Sequence, residues 1–417
     1  MAVSATLAIN EAVIRRRQDG QRVVAMGFGE AGLPVHDELR DRLAAAAGEG
    51  GYGPVAGIEP LRLSVAGHFD RRGLPTSASQ VVAGPGTKPL LYALLQAVGG
   101  SVALPRPSWV SYAAQAALLH QVAAMVPTLP GQGGVPDPEQ LEQAAIDARA
   151  TGQPLRAVVL TLPDNPTGTL ASTDVVSAVC DVAERHDLIV ISDEIYRDLI
   201  HDPDTGFVSP AELAPERTVV TTGLSKNLAL GGWRLGVARM PDGARGAALT
   251  EHLTEIASEL WSSPAKPVQH AAAWAFTEPE PLRQRIDASR RLHAMVARST
   301  AERFELAGAT VAPVGGAFYL YPDFGAHREL LQRRWGIETS DDLARVLIED
   351  HGVATLPGAA FGDPPQRLSL RVATSLLYGE SSEERTASLT APDPLTLPWI
   401  STQLDQVDDA LRVLLGP

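Results

Sequence analysis

The stretch Thr221–Gly236 reads Thr-Thr-Gly-Leu-Ser-Lys-Asn-Leu-Ala-Leu-Gly-Gly-Trp-Arg-Leu-Gly, with Lys226 eight residues before Arg234. The chain has only three lysines, the others being Lys88 and Lys266, among 35 basic residues. An amine that can lose its proton forms an imine, whereas a guanidinium stays protonated. A retained lysine therefore indicates a task that arginine cannot perform. A leftover surface lysine is the alternative, which the lysine count alone does not exclude.

A second stretch, Val190–Tyr196, places polar residues at the end of a predicted strand. The apolar run Leu188–Ile191 leads to Asp193 at the carboxyl end of that strand, where ligands bind in open α/β sheets. Asn165 lies in a turn that reads Pro-Asp-Asn-Pro-Thr-Gly. Ser-Lys with a later Arg, Asp-x-x-Tyr and Asn-Pro-x-Gly, in this order, resemble the class I/II aminotransferases, a family of fold-type-I pyridoxal phosphate (PLP) enzymes.

The resemblance extends from about Gly27 to Ala373 and implies an α/β fold of two domains. A large domain has a mostly parallel sheet between helices, and a smaller domain is α+β. The predicted units are an N-terminal segment over residues 1–45 that packs with the small domain, a large PLP-binding domain over 46–285 and a small domain over 286–417. Strand–helix alternation along the chain predicts the same architecture.

Regular elements are predicted from the apolar pattern. Strand Ala157–Thr161, helix Thr173–Arg185 and strand Leu188–Ser192 form a β–α–β unit. Glu280–Glu305 is long enough to bridge two domains, and Ala317–Tyr321 is predicted to be a strand.

The cofactor assignments combine a general anion site with the resemblance. Strand Val81–Gly84 leads through a glycine turn into a helix N-terminus, where free N–H groups and the helix dipole favour a phosphate. The resemblance implies that Tyr52 reaches the cofactor of the other subunit, so a homodimer is expected. The full predicted cofactor set is Gly86, Thr87, Lys88, Trp109, Asn165, Asp193, Tyr196, Ser225, Lys226, Arg234 and Tyr52.

Three of these residues are predicted to be catalytic. The resemblance implies that Lys226 holds the cofactor as a Schiff base and then moves a proton as a general base. Asp193 faces the ring nitrogen and favours its charged form. Tyr196, with Asn165, donates a hydrogen bond to the phenolate oxygen, although Tyr196 is alternatively a core residue. Trp109 offers a flat face to the ring.

Substrate binding is assigned to Gly29, Asn165 and an arginine on a late strand. Arg367 and Arg371 compete for the substrate carboxylate. Arg367 fits an Arg-x-Ser pattern, and Arg371 has the apolar lead-in and the spacing that the family shows. Four residues apart on a strand, both would lie on one face. Arg371 is favoured.

Two departures from the family pattern stand out. Gly223 occupies a place where the family has serine or threonine, so one phosphate hydroxyl is missing, and Thr221 or Thr222 is the candidate replacement. Residues 379–398 insert a Ser/Glu-rich and Pro-rich segment before the last helix. A surface loop is expected there, with a reshaped substrate entrance as the alternative.

Composition bounds the partners. The net charge is −14 and the predicted pI is 5.2, which argues against nucleic acid or an anionic membrane as partner. The single cysteine, Cys180, makes no internal disulfide and is expected to be a buried thiol. The Arg15–Arg17 cluster has no long apolar run beside it, so neither a signal peptide nor a membrane span is predicted, and the expected location is the cytoplasm. No metal site is expected.

The predicted function is an aminotransferase that exchanges an amino group between an amino acid and a 2-oxo acid. The same lysine, aspartate and asparagine also serve PLP-dependent β/γ-elimination or replacement, oxidative reactions and decarboxylation, which stay open as alternatives. A PLP-binding regulatory protein would need an added DNA-binding domain and is disfavoured.

Overall fold

The computed structural model describes residues 5–416. The helices are α1 (Ala5–Gln18), α2 (Asp37–Ala45), α3 (Glu59–Asp70), α4 (Thr87–Val98), α5 (Val110–Leu118), α6 (Pro138–Ala150), α7 (Thr173–Arg185), α8 (Pro210–Leu213), α9 (Gly243–Leu260), α10 (Lys266–Ala275), α11 (Glu280–Leu306), α12 (Arg328–Trp335), α13 (Ser340–His351), α14 (Ser382–Thr390) and α15 (Pro398–Leu415). The strands are β1 (Val24–Ala25), β2 (Val81–Gly84), β3 (Ser101–Arg106), β4 (Ala123–Pro127), β5 (Leu155–Thr161), β6 (Ile189–Asp193), β7 (Thr218–Gly223), β8 (Gly236–Arg239), β9 (Tyr319–Leu320), β10 (Val353–Ala354), β11 (Leu356–Pro357) and β12 (Leu370–Ala373).

Seven strands form the main sheet in the order β2-β8-β7-β6-β5-β3-β4. Only β8 runs antiparallel to its neighbours, and the other six strands are parallel. Gly223 at the end of β7 pairs with Gly236 at the start of β8, so the loop that carries Lys226 leaves and rejoins the sheet at one place. The predicted α/β class with a mostly parallel sheet is confirmed.

The sheet is buried on both faces because its central strands are apolar at successive positions. In β5, Val158 packs with helices α6 and α7, while its neighbour Val159 packs with α4, α5 and α9 on the other face. Helix α7 has the bounds that its apolar period predicted, and it buries Cys180 in the cluster with Val158. Burial raises the pKa of the Cys180 thiol to about 12, as suits an inert structural thiol.

A second region contains the antiparallel sheet β11-β12-β9 and the parallel pair β1–β10. Helices α11, α12, α13 and α15 enclose its core. Strand β1 thus joins the N-terminal segment to the C-terminal region, whereas α2 packs against α10. The division of the chain at residues 45 and 285 stays a prediction.

Two predicted elements differ from the structure. The strand predicted at Ala317–Tyr321 is shorter in the structure, where β9 covers only Tyr319–Leu320. The surface loop predicted in residues 379–398 was wrong. It contains helix α14, whose N-terminus is closed by a capping box between Ser381 and Glu384.

The 379–398 insertion contributes no residue to the main cavity, so it does not shape that entrance within this chain. Across residues 5–416, none of the helices combines the length and the apolar character needed to cross a lipid bilayer.

Candidate active site

A cavity of about 590 Å³ opens at the carboxyl ends of β5 and β6. From the predicted set it is lined by Gly29, Thr87, Lys88, Trp109, Asn165, Asp193, Tyr196, Ser225, Lys226, Arg234 and Arg371. Gly86, Tyr52 and Arg367 do not line it. The sequence did not predict its remaining lining, which comes from Leu7, Asn10, Phe28, Glu30, Ser111, Tyr112, Thr161, Ile195, Gly231, Gly232 and Tyr319.

Lys226 projects its amine into this cavity from the loop between β7 and β8. Its Nζ donates a hydrogen bond of 2.6 Å to the main-chain oxygen of Gly29. Burial, together with the positive charge of Arg371, lowers the pKa of Lys226 to about 8. The amine can therefore lose its proton close to neutral pH, as a nucleophile or a general base requires.

Asp193 ends β6 with a carboxylate that is 3% exposed. The Tyr112 hydroxyl donates a hydrogen bond of 2.9 Å to one oxygen, and the Thr221 hydroxyl donates one of 3.2 Å to the other. Burial raises the pKa of Asp193 to about 6, and these hydrogen bonds oppose the rise. The hydrogen bond from Tyr112 adds to the site a residue that was not among the predicted site residues.

The anion end of the cavity lies at the N-terminus of α4, which begins at Thr87. Gly86 has φ +99°, and a Cβ there would lie 2.4 Å from Nη2 of Arg234. Glycine is thus required for the guanidinium to approach the helix N-terminus. Partial burial and the nearby Arg234 lower the pKa of Lys88. Free N–H groups and two cations suit a phosphate.

Arg371 lies in β12 and is 1% exposed. Its Nη1 donates to Oδ1 of Asn165 at 3.5 Å and its Nη2 to the main-chain oxygen of Gly27, while its Nε has no partner within residues 5–416. Burial lowers the pKa of Arg371. No carboxylate in the described chain pairs with it.

Arg367 precedes β12 and therefore does not share a strand face with Arg371. Its Nε donates to Asp323 at 2.9 Å, and its side chain is 47% exposed. Arg367 lies outside the cavity and already has carboxylate partners.

Aromatic residues form the rest of the wall. The hydroxyls of Tyr196 and Tyr319 are 2.8 Å apart, and the Arg371 guanidinium carbon lies 5.1 Å from the ring centroid of Tyr319. Trp109 meets Tyr112 edge-on with ring centroids 5.2 Å apart. Tyr196 is buried and also lines the cavity, so it packs in the core and at the same time belongs to the candidate site.

The missing family hydroxyl at Gly223 has a steric explanation. A Cβ at this position would lie 2.8 Å from the main-chain oxygen of Leu235. Thr221 directs its hydroxyl to Asp193 and Thr222 directs its hydroxyl to the main-chain oxygen of Glu194, at 3.2 and 3.5 Å. Neither threonine lines the cavity.

The donor set of this cavity fits PLP. Cations and a helix N-terminus at one end suit its phosphate, and the buried carboxylate of Asp193 suits its ring nitrogen. The amine of Lys226 lies in the same cavity as Asp193 and Arg234, and the charges of both residues affect its pKa. The cradle at Gly86 gives the phosphate end its shape.

Comparison with known proteins gives a consistent result. A family model described as aminotransferase class I and II matches residues 30–376. An aspartate aminotransferase of Geobacillus stearothermophilus is 34% identical over 393 residues, which cover 92% of this chain and 95% of that protein. A probable aspartate/prephenate aminotransferase of Thermus aquaticus is 34% identical over 373 residues, or 87% and 91% of the two chains. The structure of the Thermus thermophilus aspartate aminotransferase with maleate matches with a TM-score of 0.82 and 27% identity, over 98% of this chain and 97% of that one.

Proposed function

The chain belongs to the class I and II aminotransferases, and on that premise we propose that it takes the amino group of L-aspartate. It is a PLP-dependent enzyme that exchanges an amino group between an amino acid and a 2-oxo acid. Relatives at 34% identity are named for aspartate, or for aspartate and prephenate. Those names and the charges of the cavity support aspartate as the donor.

The observation that carries this proposal is the buried guanidinium of Arg371. A buried charge without a counter-ion is costly, and within residues 5–416 only neutral oxygens accept its hydrogen bonds. A substrate carboxylate supplies the missing negative charge and can accept two parallel hydrogen bonds from a guanidinium. We therefore assign the α-carboxylate to Arg371 and not to Arg367, which is paired with Asp323.

The balance of charge in the cavity favours anionic ligands. Besides Lys226 and Arg371, the cations Lys88 and Arg234 line the cavity. Neither of these two forms an ion pair with any residue from 5 to 416; Arg234 donates instead to the main-chain oxygen of Gly231 at 2.8 Å. Four cations therefore face the two lining carboxylates of Glu30 and Asp193, and this net positive charge suits the cofactor phosphate and an anionic substrate.

The chain's own groups divide the work as follows. PLP, when bound, supplies a ring that stabilises the negative charge left on the substrate Cα after a proton is removed. The amine of Lys226 takes that proton and returns it, and its pKa of about 8 suits both steps near neutral pH. Asp193, Tyr196 and Trp109 line the cavity. Asp193 would hold a negative charge for the ring nitrogen of the cofactor, Tyr196 would offer it a hydroxyl, and Trp109 would offer it a flat face.

The proposed homodimer depends on Tyr52. This residue is 94% exposed and does not line the cavity of its own chain. An aromatic side chain presented to solvent is typical of an interface, where Tyr is enriched. We assign Tyr52 to the cofactor phosphate of the partner. A Tyr52→Phe variant is expected to remain dimeric and to bind PLP more weakly. A wild-type protein that is monomeric in solution would contradict the assignment.

The experiment for the reaction uses the PLP-loaded enzyme with L-aspartate and 2-oxoglutarate. Oxaloacetate and glutamate should form in equal amounts, and a panel of neutral and basic amino acids should give lower kcat/KM. Ammonia released without glutamate would instead support elimination, and carbon dioxide released without consumption of 2-oxoglutarate would support decarboxylation. Lys226→Ala is the control that should abolish every one of these products.

A further inference from the structure

A side-chain hydrogen bond outside the cavity joins the two loops that carry Tyr196 and Lys226. Asn227, which follows Lys226, donates through Nδ2 to Oδ2 of Asp198 at 2.7 Å. Asp198 lies two residues after Tyr196. Neither Asp198 nor Asn227 lines the cavity, so the bond ties the two loops without contact with a ligand.

Asp198 is itself held from the opposite side. Its Oδ1 accepts a hydrogen bond of 2.7 Å from Nη2 of Arg72, and Nη1 of Arg72 donates to Glu278. The side chains of Arg72 and Asp198 are 18% and 17% exposed, so solvent screens this pair weakly. Burial by itself would raise the pKa of Asp198, but the charges of Arg72 and His68 and the hydrogen bonds from Arg72 and Asn227 together outweigh burial, and the pKa is lowered. Asp198 is therefore a permanent carboxylate anchored to the body of the protein.

Asn227 is fixed at both ends of its amide. While Nδ2 donates to Asp198, Oδ1 accepts a hydrogen bond of 2.8 Å from the main-chain N–H of Leu228. Asn227 is also buried. The main chain next to Lys226 is thus held by a side chain that has a single orientation, because the reversed amide would direct a donor at the Leu228 N–H.

On the aminotransferase function proposed above, we propose that Asp198 and Asn227 are positioning residues that fix the Lys226 amine relative to the Tyr196 hydroxyl. Both groups line the cavity, and each stands on one of the two tied loops. Proton transfer needs the amine within reach of its target, and a displacement of about 1 Å can cost on the order of 100-fold in rate. An ion pair that serves stability alone would not change the proton-transfer step.

An exchange of the two residues tests this inference. Asn227→Asp places a second carboxylate against Asp198, and Asp198→Asn leaves a donor facing either Arg72 or Asn227. The doubly exchanged variant restores every hydrogen bond with the carboxylate and the amide in swapped places. The readouts are kcat, KM for aspartate, the kinetic isotope effect with Cα-deuterated aspartate and the visible circular dichroism of bound PLP.

Each single variant is expected to lower kcat about 10- to 100-fold, to raise the isotope effect, and to change KM by less than about threefold. The double variant should recover most of that loss. Asp187→Asn is the matched control, since it removes a 2.6 Å ion pair with Arg245 at the surface. Singles that match this control in kcat, isotope effect and circular dichroism would overturn the inference, whatever their thermal stability.

A further variant and a measurement without substrate complete the test. If the charged variants fail to fold, Asn227→Ala removes the donor without adding a charge and is judged on the same readouts. The circular dichroism of bound PLP needs no substrate, so it tests the positioning inference separately from the proposed reaction. An unchanged cofactor spectrum in Asn227→Ala with altered turnover would also overturn it, because the amine would then hold its place.

Discussion

The phenol of Tyr112, on α5, donates a hydrogen bond of 2.9 Å to the carboxylate of Asp193, at the end of β6. The same phenol oxygen lies 3.0 Å from the hydroxyl of Thr161 on β5. One tyrosine thereby connects the wall of the cavity with the two central strands. Because the phenol donates to the charged form of Asp193, it stabilises that charge where burial opposes it.

Tyr112→Phe should weaken PLP binding about 10-fold or more at pH 7, since a hydrogen bond to a charged group contributes about 1.5–3 kcal/mol. The pKa of Asp193 is already raised to about 6, and loss of the donor raises it further. Binding should therefore fall at a higher pH in the variant as the solution is acidified, and the deficit should shrink above pH 8. Titration of the PLP absorbance measures this. Tyr92→Phe, outside the cavity, should leave the midpoint unchanged.

Lys226→Arg should lower kcat at least about 1,000-fold, because the guanidinium keeps its proton and cannot act as nucleophile or base. Lys266→Arg is the matched control: Lys266 pairs with Glu49 at 2.7 Å away from the cavity, and its loss should change kcat less than about twofold. Borohydride reduction followed by mass spectrometry should find PLP on Lys226 alone. Label on Lys88 would contradict the assignment of the anchor.

Arg371→Lys and Arg367→Lys form a second matched pair. Loss of the buried guanidinium should raise KM for aspartate about 10-fold or more, because lysine keeps the charge but cannot donate two parallel hydrogen bonds to a carboxylate, and hydrogen bonds to charged groups contribute about 1.5–3 kcal/mol. The exposed Arg367, paired with Asp323, should change KM by less than about twofold and stability by less than about 1 kcal/mol. Steady-state kinetics decide between them, and the reverse pattern would transfer the substrate carboxylate to Arg367.

Gly223→Ser restores the residue type of the family but should destabilise the protein. The new Cβ would lie 2.8 Å from the Leu235 oxygen, and overpacking of this kind costs about 1–3 kcal/mol. Denaturant unfolding of the apo protein measures the loss. Gly206→Ser, where a Cβ meets nothing within 4 Å, should change stability by less than about 0.5 kcal/mol. A variant that is equally stable and binds PLP more tightly would show that the hydroxyl has room.

The sequence was most informative where local pattern decides structure. In helix Thr173–Arg185 the apolar residues that recur with the helical period are the ones that are buried, so the bounds of the helix were predictable. Helix α14 was also readable, because Ser381 and Glu384 have the spacing of a capping box, but the Pro-rich residues that follow suggested a loop. The strand predicted at Ala317–Tyr321 is shorter in the structure, because only Tyr319 and Leu320 pair with the neighbouring strand β12.

The site was predictable only as far as its motifs extend. Lys226 and Asp193 stand in short characteristic stretches, and both line the cavity. Tyr112 is 81 residues from Asp193 in the chain, and Leu7 lies in the N-terminal helix far from any motif. Such contacts arise from tertiary packing, which no local spacing encodes. The choice between Arg367 and Arg371 likewise depended on where β12 begins.

Gly223 pairs with Gly236 in the antiparallel pair β7–β8, so the segment between them is a loop whose two ends are hydrogen-bonded strands. Because both ends of this loop belong to one strand pair, extra residues in the loop would project outward without changing the register of the sheet. The loop carries both the Lys226 amine and Arg234. A shift of the paired ends at Gly223 and Gly236 would therefore move both groups relative to Asp193 on the neighbouring strand β6. Selection on cofactor geometry should therefore act most strongly on the paired residues Gly223 and Gly236 and should tolerate variation in the length of the loop between them.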